Sequence, residues 1–394
     1  MFKTVTSPAE RGALPSSAKF ERNMGVELLR IVSMMLVVGL HLLGHGGILS
    51  STATLSASYK LALYLNVITY CSVNCYALIS GFANVKTEFK FRRFWYLWLE
   101  TVFLITLTNT VVHFFIPSVT VTREWWIAGF FPLAKRELWY LCAYFFMYPL
   151  LPVLNKGLLS LKKWQHIWVI VLLQMPTIFR AIEHKDHYAM SSGYSAIWLI
   201  CLYVIGAYFR IYGAPRWAKW FVTLPTFFLA AFLAWLSRVI PEQQWKAGLI
   251  DKESAIYKNR GDLISYLSPL IVIMSVMLLL FFMQVRIKGR ISRKVIANLG
   301  RATWGVFVIH VTSAFWYWRD FWSLFKKIGT YSPLKLLISV MIATFAVYLG
   351  LSILSIARFY LFKLLRVHKG IDFLADRLYG CFRKQADDEP PFVN

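Results

Sequence analysis

Three ionisable residues sit in or at the edge of the first apolar run of the chain, namely Glu27, Arg30 and His41. Charged groups and imidazoles are costly to bury at membrane depth, so each of them there points to a function or to a specific partner. Glu27 and Arg30 are three residues apart and share a helical face, where pairing lowers the cost of burying either. Arg30 and His41 are eleven residues apart, which keeps them on one face with His41 about 16 Å farther along the axis. One groove can therefore present both. An imidazole that titrates near neutrality can take the proton of a hydroxyl and make a weak oxygen nucleophile able to attack an acyl carbonyl. The plainer roles are an interfacial ion pair for Glu27 with Arg30 and a helix-packing hydrogen bond for His41. His310 lies nine residues beyond Arg301 in another apolar run, about 13 Å along that axis and so near the depth of His41. His45 and His113 read as interfacial or external, and His184 and His187 as external.

The elements that must position these residues follow from composition. Of 394 residues 58% are hydrophobic and only 16% charged, and the mean hydropathy is +0.54, beyond what a soluble globular chain carries. Apolar runs recur near 26 to 43, 61 to 83, 95 to 116, 137 to 155, 164 to 180, 193 to 212, 218 to 240, 262 to 284, 299 to 318 and 334 to 362. Each satisfies its own backbone as a helix while crossing about 30 Å of hydrocarbon. The expected fold is an all-α polytopic transmembrane bundle of about ten spans in the lipid bilayer. It divides into a basic N-terminal tail over 1–22, a membrane domain over 23–365 and a C-terminal tail over 366–394.

The net charge of +24 raises the question of nucleic acid, but the basic residues concentrate in alternate loops. Lys86 to Arg93, Lys156 to Lys163, Arg286 to Lys294 and the tail from Arg358 fall on one side, while the loops between them mix Lys and Arg with Asp and Glu. That is the positive-inside pattern; it puts both termini in the cytoplasm, requires an even number of spans and excludes a nucleic-acid partner. No small-residue cleavage site follows the first run, which therefore reads as a retained helix. Cys71, Cys75, Cys142, Cys201 and Cys381 show no paired metal spacing, so no metal is expected, and the sequence has neither an internal repeat nor a glycine-rich phosphate loop.

Glu27-Leu-Leu-Arg30, ten further residues and His41 resemble the Arg-x10-His signature of acyltransferase family 3, integral-membrane O-acyltransferases of surface glycans. Further segments match in the family's order over about residues 20 to 365. They are Val73 to Phe82, Glu137 to Leu141 with Tyr144, Pro152 and Asn155, Tyr203 to Tyr208, Tyr266 to Pro269, and Trp304 to His310. The stretch around Trp139 and Tyr140 resembles the branch found in capsule and exopolysaccharide loci. The family's cytoplasmic Arg-x-x-Arg pair corresponds here to Lys90 and Arg93 with Arg92 between. Lys supplies a point charge to a phosphate but not a bidentate fork, and the plainer reading of the three is topogenic charge.

The resemblance implies a bacterial inner-membrane enzyme that moves an acyl group, most simply acetyl, from acyl-CoA to a hydroxyl of an envelope glycan or a lipid-linked glycan precursor. His41 is then the general base or acyl relay, Arg30 orients the donor or balances charge, and His310 stands beside them. Lys90, Arg92 and Arg93 meet the donor's phosphates, and Glu27, Trp139 and Tyr140 border the substrate path. Trp139 and Tyr140 otherwise belong to an interfacial aromatic belt. The competing reading is a secondary transporter or glycan flippase, whose marks, helices broken by Gly or Pro at matching positions of two halves, are missing.

Overall fold

A computed structural model of the protein describes residues 22–87, 90–133, 138–186, 188–373 and 376–377. The basic tail before Arg22, Glu137, His187 and the end of the chain with Cys381 lie outside them. Every described element is helical. In chain order they are α1 (Met24–Leu43), α2 (Ala57–Thr69), α3 (Cys71–Asn84), α4 (Phe91–Phe115), α5 (Arg123–Phe130), α6 (Trp139–Met147), α7 (Leu151–Ser160) and α8 (Lys163–Glu183). The second half comprises α9 (Ala196–Tyr212), α10 (Trp220–Lys246), α11 (Ala255–Lys258), α12 (Pro269–Gln284), α13 (Arg290–Val311), α14 (Ser313–Trp316), α15 (Arg319–Lys326) and α16 (Pro333–Leu364).

Six helical stretches are long and apolar enough to cross a membrane, namely α1, α2 with α3, α4, α8, α10 and α16. The sequence reading of about ten is larger than this because α9 and α12 are apolar but short, and the other two expected spans are interrupted or charged. Pro149 and Pro152 divide the span expected at 137 to 155 into α6, a 3₁₀ turn and α7, since proline lacks the amide hydrogen that would continue the ladder. The span expected at 299 to 318 is shifted toward the chain's start. Its helix α13 begins at the basic Arg290 and ends at Val311, where Thr312 turns extended.

α1 is the hub, packed against α2, α3, α12, α13 and α16. Its start is fixed by the Asn23 side chain, which accepts from the Val26 amide at 3.1 Å. The helices meet through small residues. Gly81 of α3 faces the Tyr203 carbonyl of α9, and Gly206 of α9 faces the Leu78 carbonyl of α3, so closely that a methyl group at either would overlap the opposite backbone. Gly25 abuts the Phe282 carbonyl of α12 in the same way, and Gly305 of α13 abuts Ser355 of α16. Away from these contacts, α8, α10 and α16 turn Trp168, Leu172, Leu229, Phe232, Met341 and Ile342 outward, the surface a lipid-facing helix presents.

Arg358, grouped by sequence with the cytoplasmic tail, is instead buried within α16 and ion-paired to Glu100 of α4, which is also buried. Two unpaired charges at this depth would be prohibitive, and together they tie the two helices.

Gly81→Leu is expected to destabilise the protein by about 1–3 kcal/mol or more through overpacking against an unyielding backbone. Gly350→Ala, on α16 where a Cβ meets nothing within 4 Å, should cost nothing. Thermal denaturation of the purified protein measures both, and equal melting temperatures for the two variants would refute the packing account.

Candidate active site

Two of the three residues singled out on α1 open into one cavity of about 370 Å³. Its wall holds Arg30 and His41 of α1, Tyr76 and Ser80 of α3, Trp139, Tyr140 and Tyr144 of α6, and Thr303, Trp304 and Phe307 of α13. Arg22, just before α1, and Arg301, midway along α13, also line it. Glu27 stands behind this wall. Its Oε2 accepts from Arg22 at 2.7 Å and from Arg30 at 3.1 Å, and Gly300 leaves room for the same oxygen, since a Cβ there would come within 2.9 Å of it. The Tyr76 hydroxyl donates to the Arg30 carbonyl at 2.8 Å, tying α3 to the turn that carries the guanidinium.

His41 and His310 meet: His310 Nε2 lies 3.0 Å from His41 Nδ1. His310 is fully buried, whereas His41 is partly open to the cavity. The other nitrogen of His310, Nδ1, is 2.5 Å from the Val306 carbonyl one turn back on α13. A carbonyl only accepts, so Nδ1 of His310 carries a hydrogen and the neutral ring offers its Nε2 as an acceptor. Nδ1 of His41 must then be the donor, which leaves the lone pair of His41 on Nε2. The tautomers are assigned from these hydrogen bonds. Trp316 of α14 meets His41 edge-on with ring centroids 4.9 Å apart and holds the ring from its other side.

The arrangement makes His41 Nε2 a proton acceptor. When it gains a proton, the bond from Nδ1 to His310 becomes charge-assisted and strengthens. Among the described residues His310 bonds only His41 and the Val306 carbonyl, an arrangement that can orient His41.

A second cavity of about 470 Å³ shares Asn84, Leu97 and Tyr144 with the first. Arg92, Arg93, Tyr96, His368 and Asp372 border it. Arg92 pairs with Asp372 at 3.3 Å, and the His368 ring stacks on Tyr96 at 4.5 Å. Of the basic trio, Arg92 and Arg93 reach this cavity. Lys90 borders neither, and its carbonyl accepts a hydrogen bond from Tyr148 at 3.4 Å. Among the described residues, no three His, Cys, Asp or Glu side chains are grouped to hold a metal ion.

Sequence reasoning named Tyr76 and Tyr144 only as parts of the matching segments, and it did not find Trp316 or the His45 contact. His45 is not isolated, because its ring stacks on Trp316 at 3.9 Å and its Nε2 lies 2.8 Å from the Trp316 carbonyl. Trp316 therefore couples His45 to His41. No spacing rule links a short helix after α13 to the end of α1, so no signal for that contact existed.

Residues 23–357 match a family model described as Acyltransferase domain. No curated protein and no solved structure matches the chain.

The hydrogen-bond chain predicts that His41 carries its hydrogen on Nδ1. In ¹⁵N-histidine-labelled protein, His41 should show the Nδ1–H signature, and His310→Leu should move it toward the Nε2–H form that an unconstrained imidazole prefers. An unchanged His41 spectrum in that variant would reject the orienting role of His310.

Proposed function

Since the chain belongs to the acyltransferase family whose domain it matches over residues 23–357, we propose that it is an O-acyltransferase working with acyl-CoA, most simply acetyl-CoA. The acceptor in this reading is a hydroxyl of an envelope glycan or its lipid-linked precursor, at a bacterial inner membrane. The observation that carries the reading is the 3.0 Å pairing of His41 with His310, which leaves one unprotonated nitrogen facing a cavity inside a membrane enzyme. An acceptor hydroxyl gives its proton to His41 Nε2 as its oxygen bonds to the thioester carbonyl carbon. The carbon–sulfur bond then breaks, and the proton leaves with the thiol of CoA. Acyl relay through His41 uses the same nitrogen, first as nucleophile and then as leaving group. Arg30 stands beside the path as the positive group toward which the donor's charge is drawn, and Arg92 and Arg93, with Lys90 on the same turn, supply charge for phosphates.

The proposed topology has ten traverses with both termini cytoplasmic. In support, Asn23 and Met283 bond to each other at 3.4 Å, as do Asn155 and Asn84 at 3.1 Å, from connections assigned to the cytoplasmic side. Ser51 with Lys326 at 2.7 Å and His184 with Asp262 at 2.8 Å do the same on the outer side. A cysteine introduced at Gln243, an exposed position near the end of α10, should react with an impermeant reagent added from outside. Reaction from the cytoplasmic side alone would reverse the orientation.

The kinetic test uses acetyl-CoA with candidate glycans and reads initial rates of CoA release from matched amounts of folded protein. His41→Ala should lose about 10²–10⁴ in rate, the usual cost of removing a general base. His45→Ala should fall only slightly, through Trp316. Arg93→Gln should raise the acetyl-CoA requirement more than the acceptor requirement. Wild-type turnover by His41→Ala would overturn the mechanism, and an effect of Arg93→Gln confined to the acceptor would remove the donor assignment.

A further inference from the structure

Three aromatic rings from separate parts of the chain converge at one end of the His41 cavity. Trp139 starts α6, Tyr194 precedes α9 and Tyr266 precedes α12. Ring centroids lie 4.7 Å apart for Trp139 and Tyr194, 4.9 Å for Tyr194 and Tyr266, and 6.1 Å for the nearly parallel Trp139 and Tyr266. Trp139 and Tyr266 line the cavity that His41 enters, while Tyr194 is 47% exposed. The end of α12 binds Asn23 at the start of α1, so Tyr266, before α12 begins, lies at the opposite end of the bundle from Arg22 and Arg30. An interfacial belt would set such rings singly against lipid; here they face one another at a mouth.

The segment that presents Tyr194 is strained. Ala189, Ser191 and Ser192 take φ of 51°, 50° and 54°, the left-handed region that residues with a Cβ rarely adopt. The Asp186 carboxylate holds them there by accepting from the Met190 and Ser192 amides at 2.9 Å each. Gly193, at φ +96°, has no Cβ to collide with Tyr266, whose own Cβ would be 2.5 Å away. Tyr266 is fixed in turn by the Asn74 amide, which donates to its carbonyl at 2.8 Å, and Asn74 accepts from the Trp198 indole at 3.2 Å. A backbone held in unfavourable conformations by dedicated bonds marks a place where geometry has been kept for use.

We propose that Trp139, Tyr194 and Tyr266 form the acceptor subsite, receiving a pyranose ring by stacking and presenting one of its hydroxyls toward His41. The electron-rich face of an aromatic ring attracts the partly positive C–H bonds on one face of a pyranose, and the phenol hydroxyls can bond the sugar hydroxyls at its rim. The proposal rests on the acyl-transfer reading above and adds the residues that recognise the acceptor.

The test separates the two. The protein in nanodiscs is mixed with methyl β-D-glucopyranoside, methyl β-D-galactopyranoside and methyl α-L-rhamnopyranoside, and saturation transfer to the ring C–H protons is measured by NMR. At least one glycoside should show transfer, at least fivefold weaker with Tyr194→Ala or Trp139→Ala and retained with Tyr194→Phe. Asp186→Ala, which removes the bonds to the loop, should weaken it as well and carries the test if Tyr194→Ala fails to fold. No transfer to any of the three, or transfer unchanged in these variants, would overturn the subsite. CoA release from acetyl-CoA is followed in parallel. Loss of that activity with His41→Ala alongside glycoside binding indifferent to Tyr194 and Asp186 would sink the subsite and leave the enzyme reading standing. Binding that depends on those residues, in a protein that releases no CoA, would keep the subsite and sink the reading.

Discussion

Lipid gives helices no hydrophobic reason to associate, so a bundle of this kind holds where backbones approach closely enough for dispersion and polar contacts to act. The crossing of α3 and α9 is where this is plainest, since Gly81 and Gly206 each lie against the other helix's carbonyl. Much of the site hangs from that crossing. One turn before Gly81, Tyr76 reaches back to α1. Asn74, two residues before Tyr76, holds Tyr266 and Trp198. On the other side Tyr203 donates to Asn155 at 2.6 Å, and Asn155 donates to the Asn84 carbonyl at 3.1 Å. Spreading the two helices would loosen both ends of the cavity together.

Several costly side chains are buried with a dedicated partner. Arg358 faces Glu100, and His310 faces both His41 and a carbonyl. His41 differs, because one nitrogen is held by a partner and the ring borders the cavity.

The sequence made the helical class and most of α1 legible, because apolar runs and the spacing of Arg30 and His41 are local properties. The ordered segments of the resemblance also converge in space: Val73 to Phe82 crosses Tyr203 to Tyr208, and Tyr266 and Trp304 reach the same cavity. The depth estimate that set His310 level with His41 matched their contact, since helical rise is nearly constant. Pairings set by folding alone were illegible. Arg358 read as a tail charge because a single arginine near the end of an apolar run looks topogenic until Glu100 is seen opposite it. The strained turn after Asp186 has no periodicity to read, and the Trp316 contact joins residues 275 positions apart from His41 only through the fold.

The His310 side of the dyad ends at a peptide carbonyl, which has consequences for energetics beyond the site. A chain of titratable groups running through a membrane protein can carry protons from one compartment to the other, and moving one charge through 100 mV is worth about 2.3 kcal/mol. Here the wire stops after two rings, at Val306. A proton taken up by His41 therefore goes no farther than His310 on the α13 side and returns to the cavity. Any route for protons to the pair is then the cavity itself and not a relay through α13.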